Sequence, residues 1–144
     1  MAIDYTIFYK TLRNLEKQHR YLIDHRGAGT GSLPELVQEA LAESVIQRFE
    51  LCFDALWKVL RRHLIEVLGT PDVPASPRPV FRMAGEAGLL SSNGERWQDY
   101  VDARVNTTHR YNEEKAVEVI ERIVPGLIED AIDLYQTMTG ETWE

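Results

Sequence analysis

Arg104 and His109 stand five residues apart, and Arg110 and Tyr111 follow at once, so one short stretch, Arg104-Val105-Asn106-Thr107-Thr108-His109-Arg110-Tyr111, carries two guanidiniums, an imidazole and a phenol. A guanidinium is a planar fork that matches the oxygens of a phosphate. An imidazole, with an ordinary pKa of about 6.5, gives or takes a proton near neutrality. Together they can steady charge growing on a phosphoryl group and move a proton, without a metal. A helix through Trp97, Tyr100 and Val101 turns Arg104 to within about 20° of the Trp97 direction, inside an apolar stripe. A charge there needs compensation. Either an acid such as Glu50 or Asp102 pairs with it, or it snorkels outward, or it is held at an interface to bind phosphate. On an unbroken helix His109 points about 140° away from Arg104. The two therefore converge only where the helix stops before His109 or where a second subunit helps. Asn112 is a good cap for a following helix and predicts a break there, with Tyr111 and Ala116 as its hydrophobic staple.

Other chemistry is poorly supported. His19, His25, His63 and His109 show no His-Glu-x-x-His or paired His/Cys spacing, so no metal is expected. The glycines of 27–31 lack the Gly-Lys-Ser/Thr of a phosphate loop, and no cofactor is expected. His19 falls on an apolar face and reads as a hydrogen-bonded core histidine. His63, near the end of a long helix, reads as a cation placed against the helix dipole. Cys52 lies mid-stripe and reads as core. Arg48 reads as an edge residue that reaches a neighbouring acid or the cleft.

The elements that must position these residues are helical. Apolar residues recur at helical spacing, and alternation of the strand type never persists. Asp4–Asp24 carries Phe8, Leu12, Leu15 and Leu22 on one face and ends in a glycine-rich loop. Ser32-Leu33-Pro34-Glu35 has the form of a capping box. The stripe Val37, Leu41, Val45, Phe49, Cys52, Leu56, Leu60, Leu64, Leu68 then predicts a helix of about 36 residues, with a bend allowed near Glu43–Ser44. Gly69 and Pro71 end it. A linker with four prolines spans Thr70–Pro79. A shorter helix follows over Arg78–Leu90. Ser92-Asn93-Gly94-Glu95 caps the helix of Trp97. The last helix buries Val117, Ile120, Val124, Leu127, Ile128, Ala131 and Tyr135 and is kinked by Pro125-Gly126. The expected fold is all-α, an up-and-down bundle of about five helices in one domain, 1–144. Ile46, Phe53 and Trp57 form a second apolar strip on the long helix, which predicts packing on two sides and a homodimer through helices.

Composition narrows the function. The 144 residues hold 16 Lys plus Arg against 23 Asp plus Glu, net −7, which excludes a non-specific nucleic-acid coat. A lone cysteine excludes a disulfide framework. The first residues form no secretory signal, and no apolar run reaches the roughly 18 residues of a membrane span. A cytoplasmic protein without membrane contact is expected.

The spacing Arg104-x4-His109-x-Tyr111 resembles the Arg-x4-His-x-Tyr motif of HEPN-domain proteins, in the branch paired with minimal nucleotidyltransferases. That branch holds toxin–antitoxin toxins and is also called nucleotidyltransferase substrate-binding proteins. Three further blocks are similar to it: Val45-Ile46-Gln47-Arg48-Phe49-Glu50 with Leu56-Trp57-Lys58; Ala84 to Leu90 with Trp97; and Tyr111 to Ala116. The resemblance spans roughly Leu33 to Leu134. It implies a helical homodimer that brings two Arg/His motifs to one cleft, and a metal-independent endoribonuclease acting on RNA (tRNA or mRNA). His109 would then be the general acid/base and Arg104 the phosphate and transition-state stabiliser. Tyr111 would match the tyrosine to which the nucleotidyltransferase antitoxin adds AMP. Relatives commonly carry a polar residue, often Asn, directly after the motif arginine. Here Val105 stands there and Asn106 comes one later, turned by about 100°; Arg110 adds a cation beside the cleft, and both are accessory candidates. The alternative implied is a non-catalytic nucleotide- or substrate-binding subunit of a nucleotidyltransferase complex.

Overall fold

The computed structural model describes residues 2–91, 94–109 and 113–144; for Thr108, His109 and Glu113 it describes the backbone alone. Among the described residues the chain is all-helical. Helix α1 (Thr6–His25) buries Phe8, Leu12, Leu15 and Leu22. Asp4 accepts the backbone N–H of Thr6 at 2.9 Å, which satisfies a first-turn donor; the Thr6 side chain and then this N–H hold the Asp4 carboxyl below its ordinary pKa.

Helix α2 (Glu35–Glu66) is a single run of 32 residues, about 48 Å long. It is shorter than the expected 36 residues, and the helical run continues through Glu43–Ser44. The expected capping box does not form. Pro34 is the residue before the helix, and the Ser32 hydroxyl donates to the Gly29 carbonyl at 2.6 Å. Gln38 ties the loop down instead. Its carboxamide accepts from the Gly27 N–H and donates toward the Gly27 and Leu33 carbonyls. Val45, Phe49, Cys52, Leu56, Leu60 and Leu64 are buried as the stripe predicts, whereas Val37 and Leu68, at its two ends, are exposed. Beyond α2, Gly69 at φ 66° reverses the chain, and the Thr70 N–H reaches the Leu64 carbonyl at 2.9 Å.

Helix α3 (Pro77–Glu86) is shorter than expected because Gly88, at φ 76°, turns the backbone. The Leu89 N–H then caps the Ala84 carbonyl at 3.0 Å. Helix α4 (Gly94–His109) packs across α2, helped by α3. Aromatic rings run between them: Phe53 faces Phe81 at 5.6 Å, Phe81 stacks on Trp97 at 4.8 Å, and Trp97 meets Tyr100 edge-on at 5.2 Å. Phe53 is therefore taken up inside the chain, while Ile46 and Trp57 of the same strip stay half-buried. The expected caps at Ser92, Asn93 and Asn112 lie outside the described residues.

Helices α5 (Glu113–Glu118) and α6 (Val124–Thr139) are joined by a π-helical turn, Val119–Ile123, so the run is continuous. The kink expected at Pro125 takes this form. The Val124 N–H bonds to Val119, five residues back. In that register the carbonyl of Ile120 would need the N–H of residue 125, and proline has none. His19 of α1 supplies the contact, with Nε2 at 3.0 Å from the Ile120 oxygen. Ile120, Val124, Leu127, Ala131 and Tyr135 are buried as expected; Val117 is exposed. After Gly140 (φ 74°), Trp143 folds back onto the rings of Tyr9 and Tyr135 and under the Arg13 guanidinium, 4.4 Å away. No described helix is long and apolar enough to cross a membrane.

Candidate functional site

The aromatic run Phe53–Phe81–Trp97 fixes the roll of α4 against α2. With Trp97 and Val101 buried on the α2 side, the next residue on that face is Arg104. It lands between two acids spaced one turn apart on α2. Nε and Nη2 of Arg104 donate to the two oxygens of Asp54 at 3.1 and 3.0 Å, and Nη1 donates to Glu50 Oε2 at 3.0 Å. The Thr107 hydroxyl sits 3.1 Å from the same Glu50 oxygen and 2.9 Å from the Arg104 carbonyl. About a quarter of the Arg104 side chain remains exposed, 24%. The hydrogen bonds to Asp54 raise its pKa against the opposing effect of burial.

Of the two acids expected for Arg104, Glu50 is a partner and Asp102 is not. Asp102 pairs with Arg78 of α3. Asp54 was not foreseen, although an acid pair at i, i+4 on the long helix is a readable signal for a buried cation opposite.

Helix α4 runs unbroken to His109, so the stop that would bring His109 round to Arg104 within one chain does not occur before that residue. Positions 104 and 109 lie about 140° apart around the axis. The side chain of His109 lies outside the described residues, as do Arg110 and Tyr111. Val105 is exposed. Asn106 is exposed on another face of α4, away from Asp54, where it lines a groove against α5 and the π turn.

That groove, of about 700 Å³, was not foreseen. Its α4 wall carries Arg96, Asp99, Ala103 and Asn106, and its other wall carries Lys115, Glu118 and Arg122. Below it lies a buried network. The Tyr100 hydroxyl donates to Asp130, and Arg96 Nη2 sits 3.1 Å from the same carboxylate oxygen. Burial and the bond to Asp130 push the Tyr100 pKa up, and the contact with Tyr100 raises that of Arg96. Gly126 makes this approach possible. A Cβ there would meet the Tyr100 hydroxyl at 2.8 Å.

The histidines divide. His19 is the hydrogen-bonded, half-buried residue expected, and burial lowers its pKa. His63 is not a cation on the helix dipole. It is buried, its Nδ1 is 3.0 Å from the Tyr5 hydroxyl, and burial favours its neutral form. Cys52 is fully buried with its thiol pushed up to about 12, an inert core residue. Arg48 is half-buried, and its Nε is buried with no hydrogen-bond partner among the described residues. Among the described residues, no group of three or more His, Cys, Asp or Glu side chains is placed to hold a metal.

Residues 4–140 match the family model described as nucleotidyltransferase substrate binding protein like. The probable ribonuclease HepT of Haemophilus influenzae is 33% identical over 105 residues, 72% of this chain and 71% of the relative. A crystal structure of a protein from Thermus thermophilus superposes with a TM-score of 0.73 at 29% identity, covering 92% of this chain and 98% of the other. A second structure, from Haemophilus influenzae, was described as revealing the fold of a substrate binding domain of a nucleotidyltransferase. It superposes with a TM-score of 0.75 at 23% identity, covering 94% of this chain and 98% of the other. At that identity it speaks for the fold alone.

Proposed function

The chain belongs to the nucleotidyltransferase substrate binding protein like family, the HEPN branch paired with minimal nucleotidyltransferases, and from that membership we propose that it is a metal-independent endoribonuclease, the toxin of a toxin–antitoxin pair. The observation that carries the reading is Arg104. A guanidinium is oriented by three hydrogen bonds on the helix that carries His109, in a chain 33% identical over 105 residues to a probable ribonuclease. In the reaction, His109 removes the proton of a ribose 2′-hydroxyl. The 2′-oxygen attacks the adjacent phosphorus, the bond to the 5′-oxygen breaks, and that oxygen leaves with a proton returned by an imidazolium. A 2′,3′-cyclic phosphate and a 5′-hydroxyl result. Arg104 offsets the negative charge growing on the phosphoryl oxygens. The angular separation of positions 104 and 109 favours a homodimer whose two motifs share one cleft. Arg110 follows His109 directly in the sequence and adds a cation that favours RNA, whereas Asn106 lies on a face of α4 turned away from Asp54. Addition of AMP to Tyr111 by the nucleotidyltransferase antitoxin would place a bulky anion there and repel RNA.

Purified protein incubated with RNA and a chelator tests this. Cleavage that persists in the chelator and disappears in His109→Ala and Arg104→Ala is expected. Intact RNA, where a control ribonuclease cuts, overturns it.

A second reading, a non-catalytic nucleotide- or substrate-binding subunit, is favoured by the carboxylates that hold Arg104 and by the apolar Val105 beside it. It expects a stable complex with a nucleotidyltransferase encoded next door, and nucleotide binding without cleavage.

A further inference from the structure

The groove between α4 and the α5–π–α6 run lies on a face of α4 other than the one Arg104 presents to Asp54. Two opposed helical stripes form it: Arg96, Asp99, Asp102 and Asn106 on one side, Lys115, Glu118 and Arg122 on the other. From Arg96 to Asn106 the wall is about 15 Å long. Three features mark it as built. Asp130, buried beneath, grips Arg96, so this cation is held in place instead of roaming as a surface arginine does. Gly126 lacks the Cβ that would displace Tyr100 from the same carboxylate. The π turn, a costly departure from α-helix that recurs at functional sites, forms the second wall through Val119, Arg122 and Ile123.

The lining selects its ligand by chemistry. Arg96 and Arg122 flank the end at Gly126 and suit a phosphate. Asp99, Glu118 and Asp102, the last paired with Arg78, would repel a bare anion, but carboxylates accept from hydroxyl and amino groups. Ala103 and Val119 give an apolar floor. A ligand carrying a phosphate, hydroxyls and a flat apolar ring together satisfies all of them. We propose that this groove binds a ribonucleotide, with its phosphate on Arg96 and Arg122 and its ribose and base toward Asn106. The site stands whether or not the chain cuts RNA, because binding there involves neither Arg104 nor His109. A free mononucleotide and an RNA strand present the same chemistry to it.

The test is fluorescence polarisation with the full chain carrying His109→Ala, so that no strand is cut, and a fluorescein-labelled six-nucleotide single-stranded RNA. AMP, unlabelled six-mer and inorganic phosphate serve as competitors. Arg122→Glu, an exposed residue, is expected to weaken binding at least tenfold, while Lys10→Glu on α1, the same charge change outside the groove, stays within twofold of the parent. AMP competing as well as the unlabelled six-mer identifies the free nucleotide; a six-mer more than tenfold better identifies the strand. The proposal is overturned if the RNA does not bind, if Arg122→Glu binds like the parent, if Lys10→Glu weakens binding equally, or if inorganic phosphate competes as well as AMP. Loss of cleavage in the parent chain with binding intact would remove the ribonuclease reading and leave this one standing.

Discussion

Asp54 holds Arg104 through two parallel hydrogen bonds, 3.1 Å from Nε and 3.0 Å from Nη2, the fork-to-fork geometry of a carboxylate and a guanidinium. The pair joins α2 to the helix that carries His109, so the direction of the cation is set by α2 and not by α4 alone. Asp54→Asn keeps the size of the side chain and removes one acceptor and the charge. Because the pair is partly exposed, the cost falls between that of a surface and a buried ion pair, about 1 kcal/mol in urea unfolding. Arg104→Lys keeps the charge and loses the fork, and a similar cost is expected. The proposed ribonuclease activity is expected to fall in Asp54→Asn by more than the small change in folded fraction accounts for, read in the same RNA cleavage assay.

Much of this arrangement is legible in the chain, for identifiable reasons. The core stripe of α2 and the place of Arg104 on the Trp97 face of α4 follow from spacing, because helical periodicity needs no knowledge of neighbours. The acid expected near Arg104 is there as Glu50, since a cation on an apolar face demands one. What fails depends on tertiary context. His63 reads as a terminal cation, yet Tyr5, 58 residues away, meets it in the interior. Ser32 reads as a cap, yet Gln38 and the loop backbone take the available bonds. Pro125 reads as a kink, and the helix accommodates it by a π turn that needs a histidine from another helix. The groove arises from the opposition of two stripes on separate helices, which no local pattern displays.

Gly126→Ala is expected to destabilise the fold by about 1–3 kcal/mol, since its Cβ would lie 2.8 Å from the Tyr100 hydroxyl and both groups are hemmed in by Asp130 and Arg96. Tyr100→Phe removes the clashing oxygen. The double variant should therefore lose less than the sum of the two single losses, with a coupling above about 0.5 kcal/mol in a thermal or urea double-mutant cycle. Strict additivity would mean that the clash is relieved elsewhere.

Acid should loosen the fold through its buried histidines. His19 and His63 both have pKa values below the ordinary 6.5, with burial the leading cause. The unfolded chain takes up their protons near 6.5, and the folded chain takes them up only at lower pH. Between those values the unfolded state binds more protons, so stability is full above about pH 7 and declines as pH falls below about 6.5. Urea midpoints measured at neutral pH and at two mildly acidic values read this directly. His63→Asn, whose carboxamide can still pair with the Tyr5 hydroxyl whichever of the two donates, should flatten the decline. A midpoint that is constant or rises toward acid contradicts the assignment.

The contact between His19 and the π turn makes the sharpest test of how the last helix tolerates Pro125. The Ile120 carbonyl loses its helical donor because residue 125 has no N–H, and the His19 ring replaces it at 3.0 Å. Since a carbonyl can only accept, Nε2 must carry the proton, which fixes the tautomer of the neutral ring. His19→Ala then leaves a half-buried carbonyl unsatisfied and should cost about 1–3 kcal/mol. Pro125→Ala returns an N–H at the position the π register needs. In that background the same His19→Ala change should cost measurably less, because the helix now serves its own carbonyl. Urea unfolding of the four proteins measures the coupling; equal costs of His19→Ala in both backgrounds would show that the ring contributes by packing and not by replacing the missing donor.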